Sequence, residues 1–163
     1  MKEQFVEEAI ANGEIIGFYT NTHNTRKFVV GYPLICLDNF CYVQLIDTKA
    51  VDDGFALINL ETVYMFEMAS NYLNKISKQR VDIEKHKPLR IQFSSLKELF
   101  SILKENSEIV SIRFKGHQKS TKFYIKDVAD GLLSVCKSGT NLKIMNIEDA
   151  CVYVWGSKDE RKD

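Results

Sequence analysis

The chain has 163 residues, 45% hydrophobic and 27% charged, with 22 basic and 22 acidic side chains that cancel at neutral pH. That composition is ordinary for a soluble globular protein, and at this length it allows one average domain or two small ones. No apolar run approaches the roughly 20 residues that span a bilayer, and Met1-Lys2-Glu3-Gln4 lacks the basic-then-apolar pattern of a secretion signal, so a cytoplasmic protein without a membrane partner is expected.

Residues 3 to 12 place Phe5, Val6, Ala9 and Ile10 on one face and Glu3, Glu7 and Glu8 off it, with Gly13 where a helix would stop. Strand-like runs follow at Glu14 to Tyr19, Phe28 to Leu37, Phe40 to Ile46, Phe55 to Leu60 and Thr62 to Met68. Thr20 to Arg26, Asp38-Asn39 and Asp52-Asp53-Gly54 separate them as loops and turns. Ser70 to Gln79 predicts a short helix with Tyr72, Leu73 and Ile76 as its apolar face; Arg80 to Pro88 reads as a polar linker. The alternation of Leu89, Ile91 and Phe93 predicts a brief extra strand. Ser95 and Glu98 have capping-box spacing at the head of a helix whose stripe is Leu96, Leu99, Phe100 and Leu103, and Asn106 is its stop. Strands are then predicted at Ile109 to Phe114, Lys122 to Val128, Leu132 to Lys137, Lys143 to Asn146 and Ala150 to Trp155, with turns at Asp130-Gly131 and Ser138-Gly139. Gly156 to Asp163 reads as a loose polar tail.

The second half restates the first. Asn12 to Phe18 aligns with Asn106 to Ile112, and Asn59-Leu60-Glu61-Thr62-Val63 with Asn146-Ile147-Glu148-Asp149-Ala150. A repeated unit fixes architecture even where it leaves the chemistry open. The expected fold is mainly β (α+β): two small five-stranded barrels, each preceded by a short helix. Residues 1–68 form the first, 69–94 a helix and basic linker, 95–155 the second, and 156–163 the tail. Barrels of about 60 residues are marginal alone, so packing against each other or against further copies is expected.

One segment carries a family resemblance. Gly31-Tyr32-Pro33-Leu34-Ile35-Cys36-Leu37-Asp38-Asn39-Phe40-Cys41 has a glycine in the second strand and an Asp-x-aromatic turn seven residues later. It resembles the first motif of the Sm/LSm family of small barrels. The resemblance spans about residues 3 to 67 and more faintly 95 to 155, where Asp130-Gly131-Leu132 occupies the turn but no strand glycine matches. Family members that hold uridine-rich RNA place an Asn after the aromatic position and an Arg-Gly in the second motif. Cys41 and Asn59-Leu60 stand there instead, so the usual RNA pocket is not implied. Related SH3-like barrels serve as protein-interaction modules, which implies a binding role for the same fold.

Charge is unevenly spread. Met1 to Ser70 has four basic and ten acidic residues, a balance of −6; Asn71 to Lys126 has thirteen and five, +8; Asp127 to Asp163 has five and seven, −2. Such asymmetry steers association with an oppositely charged surface. The basic residues fall into a linker group, Lys75, Lys78, Arg80, Lys85, Lys87 and Arg90, and a loop group, Arg113, Lys115, Lys119 and Lys122. Each half also carries a histidine in the loop after its first strand, His23 beside Asn24, Arg26 and Lys27, and His117 between Lys115 and Lys119. These are the candidate binding loops. His86 stands alone in the linker.

Catalytic and metal chemistry find little support. Lys119-Ser120-Thr121 lacks the framing glycines and strand-to-helix setting of a phosphate loop, and no serine stands in a G-x-S-x-G elbow. Asp52-Asp53-Gly54 reads as a hairpin turn rather than half a calcium loop. Cys36, Cys41, Cys136 and Cys151 lie singly in apolar runs, as buried free thiols do. The expectation is a non-catalytic binding or scaffolding protein without a cofactor, associating with itself or a protein partner. Its expected association edges are the last strands, with Val63 and Met65 in one and Cys151, Tyr153 and Trp155 in the other. The alternative is an RNA-binding regulator that uses the basic middle region.

Overall fold

The structure is a computed structural model and describes residues 1–83, 92–138 and 141–156. Helix α1 (Lys2–Asn12) buries Val6 and Ala9 and ends at Gly13, whose φ of 64° closes the last turn, with the Glu14 N–H returning to the Ala9 carbonyl. The same closure recurs 94 residues later. Ser107 (φ 51°) ends α3 (Leu96–Glu105), and the Glu108 N–H returns to Leu103. At the head of α3 the predicted cap is half made. Ser95 Oγ accepts from the Glu98 N–H at 3.1 Å, but the Glu98 carboxylate reaches Ser94, accepting from its N–H at 3.1 Å and its hydroxyl at 2.8 Å.

The strands are β1 (Ile16–Tyr19), β2 (Val29–Leu37), β3 (Phe40–Ile46), β4 (Asp52–Asn59), β5 (Met65–Glu67), β6 (Ile109–Phe114), β7 (Thr121–Ala129), β8 (Leu132–Cys136), β9 (Lys143–Asn146) and β10 (Ala150–Trp155). Asp38 and Asn39 join β2 to β3 with φ of 50° and 64°, and Asp130 and Gly131 join β7 to β8 with φ of 45° and 81°. Both are tight hairpin turns of the kind these residues favour. Each half has one bulge in its second strand, between Pro33 and Ile35 and between Ile125 and Asp127, at equivalent distances from those turns. A proline is tolerated there because a bulge interrupts the hydrogen-bond ladder. A short 3-10 turn, Leu60–Thr62 or Ile147–Asp149, precedes the last strand of each half.

The ten strands among the described residues form one antiparallel sheet in the order β5-β1-β2-β3-β4-β10-β6-β7-β8-β9. Each half has the same internal order, fifth strand first and fourth strand last. The expected mainly β architecture is therefore present, with three helices among the described residues. Two separate barrels are not what the pairing gives. The fourth strand of the first half pairs with the fifth strand of the second, Ile58 opposite Val152, Leu57 opposite Tyr153, Ala56 opposite Val154 and Phe55 opposite Trp155.

Packing follows this continuity. The largest core cluster draws Phe40, Tyr42, Phe55 and Leu57 from the first half together with Leu99, Phe100, Leu103, Tyr153 and Trp155 from the second. Tyr42 stacks on Phe55 and Trp155, with ring centroids 5.3 and 6.0 Å apart. A second cluster fills the first half between α1 and its strands, and a third seats α2 (Asn71–Ile83) through Leu73 and Ile76.

Several expectations move. Asp52, Asp53 and Gly54 lie inside β4 rather than in a turn, because Asp47 makes the reversal earlier: its carboxylate accepts from the N–H groups of Lys49 and Val51, and Ala50 adopts φ 63°. Helix α2 runs to Ile83, beyond the expected Gln79. The remainder of the predicted linker, with Lys85, His86 and Lys87, and Leu89, Arg90 and Ile91 after it, lies outside the described residues, as does the tail beyond Gly156. Phe93 packs against the shared core, on the ring of Tyr42. All four cysteines are free.

Candidate functional site

The two histidine-bearing loops, one from each half, meet beside the β4–β10 junction. Asn21 shapes the first: its Oδ1 accepts from the backbone N–H groups of His23 and Asn24 at 3.0 and 3.2 Å, and Asn24 Oδ1 accepts from the Arg26 N–H. Short polar side chains stabilise turns in this way. The loop is thereby held against the second. His23 Nε2 donates to the Gly116 carbonyl at 2.9 Å, which requires the proton on Nε2, and Asn21 Nδ2 donates to the Gln118 carbonyl at 3.3 Å. Below them the Arg113 guanidinium donates to Thr20 Oγ1.

These contacts enclose an open cavity of about 470 Å³ lined by Thr20, Asn21, Lys27, Phe28, Val29, Arg113, Gln118, Lys119 and Ser120. Among the described residues its walls hold three cationic side chains and no carboxylate. Arg113 is only 9% exposed. Among the described residues it forms no ion pair, so its charge is buried against a single hydroxyl. Phe28 forms an apolar wall, stacked on Tyr19 with centroids 4.8 Å apart. Burial, and then the hydrogen bond to Glu67, raise the Tyr19 pKa above its ordinary value.

The other loop candidates are dispersed. Lys115 lies 3.9 Å from the Glu61 carboxylate across the two halves, and His117 is exposed beside the Phe114 ring. Lys122 lines a different depression, with Phe123, Tyr124 and Lys137. Arg26 and Asn24 lie outside the cavity lining. Sequence reasoning named Arg113, Lys27 and Lys119 but gave no reason to place them together, and it passed over Thr20 and Asn21, two polar residues directly after β1 whose burial only the fold reveals.

The expected association edges separate. β5 is a terminal strand of the sheet, and Met65 on it is exposed, whereas Val63 is buried just before it. β10 is not a free edge. It lies between β4 and β6, and Cys151, Tyr153 and Trp155 are buried within the chain. Tyr153 donates its hydroxyl to the Ile147 carbonyl at 2.7 Å, and burial holds the phenol protonated far above the usual tyrosine range. The second free edge is β9. Asn59, read from the sequence as part of the repeat and as a departure from the RNA pocket, fastens the junction: its Nδ2 donates to the Glu148 and Ala150 carbonyls at 3.1 Å each, and its Oδ1 accepts from the Glu61 N–H.

No helix among the described residues is long and apolar enough to cross a membrane. The chain matches no protein-family model, and no curated protein was found similar to it in sequence.

Proposed function

We propose that this chain is a non-catalytic binding scaffold, two Sm-like barrel units fused in tandem, whose copies add to one another head to tail through β9 of one and β5 of the next. One comparison carries the reading. The register of the two halves equates β4 with β9 and β10 with β5, Asn59 corresponding to Asn146 and Val63 to Ala150. Several positions covered at the internal junction remain apolar on β9 and β5, whose outer sides no strand among the described residues pairs. Leu57 is 1% exposed and its equivalent Ile144 is 68% exposed; for Phe55 and Leu142 the values are 8% and 58%, and for Val152 and Met65 they are 5% and 46%. Unpaired strand edges with uncovered apolar side chains are templates for a further strand.

The internal junction also supplies the register. Transferred to the free edges, it sets Met145 opposite Met65, Ile144 opposite Phe66 and Lys143 opposite Glu67 of the next copy. The last is a pair of opposite charges, which cross-strand neighbours favour. A contact between two different edges is heterologous, so it closes into a ring or continues as a filament.

Size-exclusion chromatography with light scattering tests the reading. The wild type is expected to elute as a defined multimer. Ile144→Asp, which places a charge in the new strand pair, and Met65→Asp are each expected to give single chains with unchanged circular dichroism. A wild type that stays monomeric at high concentration, or an Ile144→Asp variant of unchanged mass, refutes it.

A further inference from the structure

We infer that the cavity between the two histidine loops is a binding site for a phosphate monoester of about nucleotide size, with Arg113 as its anchor. A guanidinium buried without a counter-charge is costly, and an incoming anion relieves that cost. Arg113 is so placed, facing a cavity whose walls, among the described residues, carry two further cations, Lys27 and Lys119, and no carboxylate. Three positive charges suit a dianion. A phosphate monoester carries close to two negative charges at neutral pH, a diester only one. Around the cations stand neutral donors suited to phosphate oxygens, the hydroxyls of Thr20 and Ser120 and the side chain of Gln118.

The rest of the ligand is indicated by the remaining wall. A volume of about 470 Å³ exceeds what a bare phosphate fills and falls within the roughly 300–1,000 Å³ of small-molecule sites. Phe28 and Val29 offer apolar contact to an attached organic group. The loops are braced before any ligand arrives, by His23 on Gly116 and Asn21 on Gln118, so binding does not have to order them. Tyr19 occupies the position in the first half that corresponds to Arg113, so the cationic anchor belongs to this internal junction alone. The site is complete within one copy. Its test is therefore independent of self-assembly and can be run on the Ile144→Asp variant as well as the wild type.

Isothermal titration calorimetry with inorganic phosphate, AMP, adenosine and a 5′-phosphorylated trinucleotide decides the matter. AMP is expected to bind one per chain and adenosine not to bind. Phosphate alone binding as tightly as AMP would identify the free anion as the source, and tighter binding of the trinucleotide would identify a strand terminus. Lys27→Ala and Lys119→Ala, both on exposed side chains, are each expected to weaken AMP about 3- to 10-fold, and Arg113→Met about 10- to 100-fold. Should Arg113→Met fail to fold, the lysine variants decide alone. Equal binding of AMP and adenosine, no saturable binding of any phosphate probe at millimolar concentration, or unchanged affinity in both lysine variants overturns the assignment.

Discussion

Asn59→Ala is expected to destabilise the whole molecule, and its counterpart in the second half provides the comparison. Asn59 is 2% exposed and makes three side-chain hydrogen bonds, two of them across the junction to Glu148 and Ala150. A buried hydrogen bond contributes about 1 kcal/mol net, so truncation should cost about 3 kcal/mol. With a urea dependence of about 2 kcal/mol per molar, the unfolding midpoint should fall by about 1.5 M. Asn146 occupies the equivalent position, yet it is exposed and, among the described residues, its side chain bonds only to Asp149, at 3.1 Å. Asn146→Ala should therefore stay within about 0.5 kcal/mol of wild type. The assay is urea unfolding at fixed protein concentration, followed by the fluorescence of Trp155, the only tryptophan, which is buried at the junction. Because one sheet and the largest core cluster run through both halves, circular dichroism should report the same single transition. Equal effects at the two asparagines, or separate transitions for fluorescence and circular dichroism, would refute the reasoning.

Two further outcomes follow from local geometry. A Cβ on Gly31 would lie 2.3 Å from the Gln44 carbonyl oxygen, so Gly31→Ala should cost about 3 kcal/mol or prevent folding; Gly13→Ala, strained by its φ of 64° but with open space around it, should cost about 1 kcal/mol in the same urea experiment. The two hydrogen bonds from Ser94 hold the Glu98 carboxyl below the ordinary glutamate range. A lowered folded-state pKa adds stability that is present above the unfolded value and is lost as pH falls through the lowered one. The difference in urea midpoint between wild type and Glu98→Gln should therefore be present at neutral pH and vanish in acid; a difference that grows on acidification would contradict it.

What the sequence determined by itself is local. Gly13 needed only its own conformational freedom to be read as a helix stop, and Asp38-Asn39 and Asp130-Gly131 needed only their tolerance of positive φ to be read as turns. Alternation and the repeated Asn-aliphatic-Glu step placed the strands and paired the halves, because such patterns reflect each segment's own faces. Asp52-Asp53-Gly54 shows the limit: its composition suits a turn, but the chain had already reversed at Asp47, and cross-strand pairing with β3 kept it extended. Only the tertiary structure decided which strands are edges. The clue within Ala150 to Trp155 is an apolar residue at every position, the mark of a strand covered on both faces, yet no residue names the neighbour that covers it. The cavity depends on the same pairing. Thr20 and Arg113 are 93 positions apart, and they meet because β4 accepts β10 and carries the loops of the two halves together, a long-range contact that no local pattern encodes.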